Sequence, residues 1–312
     1  MDWAEQRVLI TGATGFIGQR LVQRLVEAGA QVYAGMAPDE KPGRVAALPA
    51  QARWSLFDLR DAGAVRNAVA KAAPQIVIHL AAVGVTNSGV DPVLALAVNA
   101  GGALHLLDAL KEYASKGNSV RRVVLAGTCH EYGAREATEG LDPYSVYAAS
   151  KVAAWAFGRM YWRAYGLPVV TVRPFQVYGP GQPNHTLVPA AICAALAGED
   201  FSMTPGEQQR DFIYVDDVVE GMLVAATTLG IEGHSLDLGT GHVYPVCEVV
   251  ERIWTMTGAQ GRILVGALPY RPAEVMHLVA DADRMARLTG WQAQVGLEEG
   301  LRRTIEKMRV GG

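Results

Sequence analysis

The chain has 312 residues, of which half are apolar and 19% charged, and its formal net charge is −3. This is the composition of an ordinary globular protein, and the small net charge argues against a nucleic-acid partner. The longest apolar stretch, Val93 to Leu110, is interrupted by Asn99, His105 and Asp108. We interpret it as a core helix and predict no association with a membrane.

Three cysteines lie far apart in the chain, at Cys129, Cys193 and Cys247. Their odd number and wide spacing favour neither a disulfide framework nor a metal site. The first residues carry two acids and lead directly into a predicted strand, which argues against a signal peptide. We therefore predict a cytoplasmic protein without a bound metal.

Predicted strands and helices alternate along the first half of the chain. Apolar and β-branched runs predict buried strands at 7–10, 32–34, 54–57, 76–80, 123–126 and 169–172. Helical periodicity predicts helices at 16–28, 62–73, 92–113 and 144–165. This alternation indicates βαβ units with right-handed crossovers, and hence a parallel sheet with helices on both faces.

Prolines and glycines interrupt the alternation after Arg173. Beyond them the pattern predicts helices at 187–197, 215–228 and 297–308, and a strand at 235–238. We expect a nucleotide-binding domain of residues 1–175, completed by about 214–250. Residues 176–213 and 251–312 are expected to form a smaller, discontinuous substrate-binding lobe.

A glycine-rich loop joins the first predicted strand to the first helix, with the spacing Gly12-x-x-Gly15-x-x-Gly18. Glycines let the backbone turn tightly and approach a pyrophosphate, and the helix N-terminus offers that anion free N–H groups and a positive dipole end. The order of strand, loop and helix predicts a Rossmann-type, doubly wound α/β fold. The predicted cofactor-binding residues of the loop are Gly12, Thr14, Gly15, Phe16 and Ile17.

The end of the second predicted strand bears on which dinucleotide binds. An acid about 20 residues beyond the glycine loop commonly accepts a hydrogen bond from the ribose 2′-hydroxyl of NAD. Residues 32–37 contain no acid, the next one is Asp39, and Lys41 and Arg44 follow it. Because basic residues without an acid tolerate a 2′-phosphate, the sequence favours NADP(H), with NAD as the alternative.

Tyr147 and Lys151 are four residues apart in a predicted helix and therefore lie on one face of it. A cation beside the phenol is expected to lower the pKa of the tyrosine. We predict that Tyr147 is the general acid/base of an alcohol–ketone interconversion and that Lys151 supports both it and the nicotinamide ribose. The alternative is a tyrosine and a lysine on an ordinary amphipathic helix.

The glycine loop, the Tyr147–Lys151 pair and the segment Arg173-Pro174-Phe175 together resemble the extended short-chain dehydrogenases that modify nucleotide-sugars. The resemblance runs from about Arg7 to about Met308. It implies further cofactor contacts after the third and fourth strands, at Asp58, Leu59, Leu80, Ala81 and Ala82. An alternative role for Asp58 is to cap the following helix.

The resemblance also implies a catalytic hydroxyl on Thr128, beside Tyr147, and structural support from Asn99. The similar 4,6-dehydratases carry Asp-Glu where this chain has Cys129 and His130, and decarboxylating relatives carry a glutamate two residues after the threonine. Both reactions are therefore disfavoured. Cys129 is interpreted as packing, and His130 either adds an acid/base or supports the site from behind.

The resemblance places the substrate on arginines of two further segments. Arg210 and Arg271 match two arginines that hold the diphosphate of nucleotide-sugars, for which the planar guanidinium is suited. A salt bridge is the alternative, for example from Arg210 to Asp211 or Asp217. The full set of predicted substrate-binding residues is Thr86, Thr128, Cys129, His130, Gln176, Leu187, Arg210 and Arg271.

The sequence thus predicts an NAD(P)-dependent oxidoreductase that acts on the sugar, at C4, of a nucleotide-diphosphate sugar. A 4-keto-6-deoxyhexose reductase is favoured, because Glu131-Tyr132-Gly133 is similar to a segment of such reductases. The alternatives are a C4 epimerase with tightly bound NAD⁺, a reductase of non-sugar ketones and a non-catalytic dinucleotide-binding protein. Relatives commonly pair through two long helices, so we predict a homodimer through 92–113 and 144–165.

Overall fold

A computed structural model describes residues 3–85, 89–134, 140–271 and 274–311. The predicted substrate residue Thr86 lies outside these ranges. The chain divides into two compact units. The first unit comprises Met1–Glu131, Pro143–Arg173 and Val219–Leu236, and the second comprises Tyr132–Asp142, Pro174–Val218 and Asp237–Gly312.

The strands of the described ranges fall into one large and several small sheets. They are β1 (Arg7–Thr11), β2 (Gln31–Met36), β3 (Arg53–Leu56), β4 (Ile76–His79), β5 (Arg122–Ala126), β6 (Val169–Pro174), β7 (Gln176–Tyr178), β8 (Phe201–Ser202), β9 (Gln209–Arg210), β10 (Phe212–Tyr214), β11 (Ser235–Leu238), β12 (Tyr244–Pro245), β13 (Ile263–Leu264) and β14 (His277–Leu278).

The helices of the described ranges follow the strands in a regular alternation up to β6. They are α1 (Phe16–Glu27), α2 (Pro42–Ala46), α3 (Ala62–Ala72), α4 (Pro92–Ala95), α5 (Gly102–Ser115), α6 (Val146–Tyr165), α7 (Leu187–Ala197), α8 (Val215–Thr227), α9 (Val246–Thr257), α10 (Ala282–Thr289) and α11 (Leu297–Gly311). A π-helical turn, Leu96–Gly101, joins α4 to α5, and a 3₁₀ turn, Cys129–Glu131, follows β5.

Seven strands of the described ranges form the main sheet, in the order β11-β6-β5-β4-β1-β2-β3. The strands from β6 to β3 pair in parallel, with Val8 of β1 opposite Val32 of β2 and Ile76 of β4. The strand order reverses between β1 and β4, which is the topological switch point of a doubly wound sheet. The predicted fold class is confirmed, and the glycine loop after β1 lies at this switch point.

The core of the first unit lies between the sheet and helices α3 and α5. Side chains that are fully buried on α5, such as Leu106 and Leu110, pack with Val65 and Val69 of α3 and with strand residues such as Val77. The two helices contact each other because their apolar residues recur every three or four positions. This packing fixes the ends of β1 and β4, from which the loops of the site begin.

The helical run Pro92–Ser115 is long and apolar enough to cross a membrane by length and composition alone. Half of its most apolar window is buried inside the protein, where Leu106, Leu107 and Leu110 belong to the core. This packing accounts for the apolar character of α5, as expected of a core helix.

The second unit has a core of its own, formed mainly by α7, α9 and α11. Ile192 of α7, Val250 and Ile253 of α9 and Leu301 of α11 are buried together there. Residues 237–250, which the sequence analysis gave to the nucleotide domain, lie in this unit. The reason is that β12 pairs with β9 and α9 packs against α7.

Candidate active site

The glycine loop brings the backbone of β1 against the segment that follows β4. Gly12 has φ +72°, and a Cβ atom there would lie 2.7 Å from the amide nitrogen of Ala81. A Cβ at Gly18 would collide with the carbonyl oxygen of Gly12. Glycine at these positions therefore lets the loop fold tightly over the start of α1.

The loop fits the diphosphate of a dinucleotide. Gly15 precedes α1 with extended backbone, and within the described ranges no side chain caps this helix and no acid stands in its first turn. The first amides of α1, from Phe16 and Ile17 onward, are thus free to donate to an anion. Leu80 and Ala81 flank the same loop, since Leu80 N–H donates to the Thr11 carbonyl oxygen at 3.1 Å.

Asp58 lies in the turn after β3 and forms an ion pair with Arg60, at 2.6 Å between Nη2 and Oδ2. The Arg60 guanidinium holds the pKa of Asp58 below its usual value. The cap of α3 is Asp61, whose carboxylate accepts from the amides of Gly63 and Ala64. The alternative role of Asp58 as the helix cap is therefore wrong. Leu59 next to it is buried against Gly102.

One acid beside the loop was missed by the sequence analysis. The Glu40 carboxylate accepts a hydrogen bond from the hydroxyl of Thr14, in the middle of the glycine loop. The signal was present in the sequence as an acid shortly after β2, but only the path of the turn brings it back to the loop. Thr14 itself is almost completely buried.

The structure brings together the three predicted catalytic side chains. Thr128 follows β5, and its hydroxyl lies near enough to that of Tyr147, in the first turn of α6, to act on the pKa of the phenol. Lys151 lies one turn further along α6 and is 2% exposed. Two hydroxyls close together with a buried lysine nearby form a suitable arrangement for proton transfer to a substrate oxygen.

The expectation that the pKa of Tyr147 lies below its usual value is wrong for this structure. Burial raises the pKa of Tyr147 above its usual value, and the negative charge of Glu131 raises it further. The nearby Thr128 hydroxyl acts in the opposite direction, but its effect on the pKa is weaker. Tyr147 is therefore protonated at neutral pH, and in that form it donates a hydrogen bond or a proton.

Of the catalytic pair Tyr147 and Lys151, the lysine has the pKa closer to neutral pH. Burial lowers its pKa to about 8, although the charge of Glu131 opposes this shift. Glu131 is fully buried, with one oxygen 2.9 Å from the Thr128 amide and the other 2.7 Å from Arg173 Nε. A fixed buried ion pair thus lies directly behind the catalytic residues.

Asn99 links the segment after β4 to the catalytic helix. It lies in the π-helical turn, is fully buried and forms hydrogen bonds with the backbone N–H and C=O of Val83. Its amide also donates to the Ser150 hydroxyl at 2.9 Å, and that hydroxyl donates to the Tyr147 carbonyl oxygen. A π-turn is a frequent feature of functional sites, and here it holds α6 to the loop after β4.

His130 lies beside the catalytic tyrosine. The centroid of its ring is 6.5 Å from that of Tyr147, edge to face, and 5.5 Å from that of Tyr144. Its backbone N–H donates to the Thr128 hydroxyl at 3.3 Å. Cys129, which begins this turn, is buried.

The second unit holds the remaining predicted substrate residues. Arg210 in β9 is 9% exposed and forms an ion pair with Glu274, at 2.7 Å. The partners proposed for a salt bridge were Asp211 and Asp217, and Glu274 takes that place instead. Asp211 is occupied otherwise, because its carboxylate accepts from the amides of Thr240, Gly241 and Ala280.

Arg271 is placed by a main-chain hydrogen bond, and Gln176 by its position in a strand. The carbonyl oxygen of Arg271, an exposed residue, accepts from the Glu274 amide at 3.1 Å. Gln176 is half-buried in β7, and Leu187 begins α7 and packs against the core of the second unit. Glu274 therefore connects the segments of both predicted diphosphate-binding arginines.

Comparison with known proteins identifies the family. The model of the NAD dependent epimerase/dehydratase family matches residues 8–239. This chain belongs to that family. The match covers the glycine loop, Thr128, Tyr147 and Lys151, which is the part of the chain that carries the geometry described above.

Members of the epimerase/dehydratase family resemble this chain over nearly its whole length. The UDP-glucose 4-epimerase of Mycolicibacterium smegmatis is 32% identical, over 97% of this chain and 98% of that protein. The UDP-glucose 4-epimerase of Thermotoga maritima, solved with UDP-glucose, has a TM-score of 0.89 at 28% identity and covers 97% of this chain and 99% of its own. That of Thermus thermophilus, in complex with NAD, has a TM-score of 0.86 at 31% identity, with the same coverage.

Among the residues that the structure describes, no group of three or more His, Cys, Asp or Glu side chains could hold a metal ion. The polar groups described above are instead hydroxyls, one ammonium and free backbone amides. Groups of these kinds are chemically suited to binding the phosphates of a dinucleotide and to transferring protons.

Proposed function

We propose that the protein is an NAD-dependent epimerase that inverts a hydroxyl-bearing carbon, C4, of the hexose in a nucleotide-diphosphate sugar. The observation that carries the proposal is the proximity of the Thr128 and Tyr147 hydroxyls, with buried Lys151 one helical turn beyond Tyr147. It is supported by the similarity to UDP-glucose 4-epimerases over nearly the full length of both chains. The sequence favoured the reductase, which is kept as a second candidate below.

The proposed roles follow from the chemistry of each group. Once it has lost its own proton, Tyr147 Oη takes the proton of the C4 hydroxyl as that carbon is oxidised, and it returns this proton when the ketone is reduced on its other face. Thr128 binds the same sugar oxygen and keeps it beside Tyr147. The positive charge of Lys151 would stabilise the phenolate that is present before the oxidation and again after the reduction. A bound nicotinamide ring supplies the hydride acceptor and donor, so the overall reaction is redox-neutral.

NAD is the proposed cofactor. The glycine loop and the free amides of α1 would hold its diphosphate, with Gly12, Thr14, Gly15, Phe16 and Ile17 around it. Asp58, Leu59, Leu80, Ala81 and Ala82 are proposed contacts at the ends of β3 and β4. Although the sequence favoured NADP(H), a similar epimerase is solved with NAD, and this supports NAD here.

A nucleotide-diphosphate sugar is the proposed substrate, as in the Thermotoga maritima neighbour solved with UDP-glucose. Arg210 and Arg271 would bind its diphosphate through charge-assisted hydrogen bonds. Glu274 supports this role because it orients the Arg210 guanidinium while leaving other N–H groups to donate. Gln176, Leu187 and His130 are further proposed contacts of the substrate.

A reductase of 4-keto-6-deoxyhexoses is the second candidate. It is supported by the buried carboxylate of Glu131 in the segment Glu131-Tyr132-Gly133, which the sequence analysis related to such reductases. In this reaction Tyr147 donates one proton to the ketone, and the cofactor is consumed as a second substrate.

The proposed epimerase activity is tested with one activity assay and one substitution. The purified enzyme is expected to interconvert UDP-glucose and UDP-galactose without added cofactor, as monitored by chromatography, and to release NAD⁺ on denaturation. Reduction of a 4-keto-6-deoxy sugar nucleotide by added NADPH, with no interconversion, would favour the reductase instead.

The same assay tests the role of Tyr147. Tyr147→Phe removes the hydroxyl that transfers the proton, so kcat should fall by at least about 100-fold, while NAD binding and the melting temperature are retained. The matched control is Tyr165→Phe, at the exposed end of the same helix, which should keep its activity. Retained activity of Tyr147→Phe would refute the acid/base role.

We also propose that the enzyme is a homodimer. Helices α4 and α6 pack together in the first unit, and both they and the turn after α4 carry exposed apolar side chains, among them Val93, Leu96, Met160 and Tyr165. Apolar groups gathered on one pair of helices are typical of a surface that another protein chain covers.

A further inference from the structure

The end of β2 lacks an acid, yet the structure brings one to the glycine loop from the turn that follows. The backbone N–H of Glu40 donates to the carbonyl oxygen of Ala37, at 3.2 Å, so the chain folds back after β2. The Glu40 side chain is 13% exposed, and its Oε2 accepts from the hydroxyl of Thr14. A carboxylate is thereby fixed against the loop proposed to bind the dinucleotide.

The surroundings of Glu40 fix its second oxygen as well. Oε1 accepts from the backbone N–H of Lys41 at 3.0 Å and lies 3.9 Å from Nη1 of Arg44. Lys41 and Arg44 are the basic residues that led the sequence analysis to favour a 2′-phosphate. Because Glu40 lies next to Arg44, part of that positive charge is already compensated within the protein.

We propose that Glu40 binds the ribose of the adenosine half of the dinucleotide and selects NAD over NADP. The inference rests on the proposed dinucleotide site in the glycine loop. A carboxylate only accepts hydrogen bonds, and it has unused lone pairs beyond those that Thr14 and Lys41 occupy. The ribose 2′-hydroxyl of NAD is a donor to such a group, whereas the 2′-phosphate of NADP is an anion that it repels.

Thr14 is a positioning residue for this carboxylate. A glutamate in a solvent-exposed turn samples many rotamers and loses entropy when it binds a ligand. The hydrogen bond from Thr14 holds Glu40 in place before binding, so less of this cost falls on association. The glycine loop and the turn after β2 therefore act together on the same ribose.

The experiment measures dissociation constants of NAD⁺ and NADP⁺ for the nucleotide-free, full-length protein by isothermal titration calorimetry. The wild type is expected to prefer NAD⁺ by at least tenfold. Glu40→Gln should reduce that preference by at least tenfold, because the acceptor of the NAD⁺ 2′-hydroxyl loses its negative charge and the phosphate of NADP⁺ is no longer repelled. Asp39→Asn is the matched control, since Asp39 is exposed and the change in net charge is the same. It should leave the ratio within about twofold, since the charge is screened by solvent.

A second measurement compares two probes on the wild type, so its main outcome does not depend on the folding of a variant. Wild-type protein should bind ADP at least fivefold more tightly than 2′-deoxy-ADP, and this ratio should be smaller in Glu40→Gln. Equal affinities of the wild type for these two probes, or an NAD⁺ to NADP⁺ ratio that Glu40→Gln leaves unchanged, would overturn the role of Glu40. Failure of the wild type to bind either dinucleotide would instead overturn the proposed cofactor site.

Discussion

Glu131 occupies a position where a single charge acts on two reacting groups. Its oxygens are held by the Thr128 amide and by Arg173, and its burial is complete. The charge raises the pKa of both Lys151 and Tyr147. It therefore favours the protonated form of each group, the form in which Lys151 is positively charged and Tyr147 can donate.

This geometry predicts the pH dependence of the enzyme. Burial sets the pKa of Lys151 to about 8, so kcat/KM should decline as the pH rises through that value and the ammonium is lost. Glu131→Gln removes the charge that raises this pKa, and the alkaline limb should move to lower pH. The measurement is kcat/KM between pH 6 and 10.

The control for this prediction is Glu232→Gln, which breaks the ion pair with buried Arg122 elsewhere in the first unit. It should lower the melting temperature but leave the alkaline limb in place. Removing one partner of a buried pair costs roughly 3–5 kcal/mol, so a lower melting temperature is expected for Glu131→Gln too. An unchanged limb in folded Glu131→Gln would contradict the electrostatic role.

At the scale of single residues, the features of the site that the sequence predicted correctly are those set by local spacing in the chain. The i, i+4 relation of Tyr147 and Lys151 and the glycines of the loop are local patterns, and the structure places both as expected. The pKa of Tyr147 was predicted with the wrong sign because burial is a property of the whole fold. The pair Arg210–Glu274 joins residues 64 positions apart, which no local pattern reveals.

At the scale of elements, the cap of the catalytic helix links stability to activity. Ser145 precedes α6, and its hydroxyl oxygen accepts from the Ala148 amide at 3.1 Å. Tyr147 lies within this first turn. A frayed turn would displace its hydroxyl from Thr128.

Ser145→Ala should therefore lower the free energy of unfolding by about 1 kcal/mol and kcat by several-fold. Asp61→Ala removes the corresponding cap of α3 and should cost similar stability while kcat is kept. Chemical denaturation and steady-state kinetics of both variants provide the comparison. Equal effects on kcat would show that the cap of α6 has no special relation to catalysis.

Two elements were predicted with the bounds that the structure shows, whereas several elements defined by strand pairing were not predicted. Helix α7 and strand β11 have the bounds that the sequence predicted. Helix α9 was missed, although one face of it is buried in the core of the second unit. Its start at Val246 follows Pro245 without a polar capping residue. The two-residue strands β9, β12 and β14 exist only through their partners in the sheet, so they leave no periodic signal.

At the scale of the whole molecule, the proposed dimer makes a prediction about mass. Light scattering should give about twice the chain mass of 33.3 kDa. Leu96→Glu places a charge among the exposed apolar residues beside α4 and α6 and should produce a monomer, because burying an unpaired charge is unfavourable. Leu229→Glu is the control, as Leu229 is 84% exposed but lies outside these helices. A wild-type monomer at micromolar concentration would refute the dimer.

The π-helical turn Leu96–Gly101 has a consequence for comparing this chain with its homologues. Its wider turn holds more residues than an α-helical turn, so the helix before it and the helix after it are out of phase. Asn99 thereby faces the interior while Leu96, three positions earlier, is exposed. Deleting one residue here would rotate the two halves by about 100° relative to each other. A homologue one residue shorter in this segment should therefore lack either the buried asparagine or the exposed leucine, and a sequence alignment alone would reveal which.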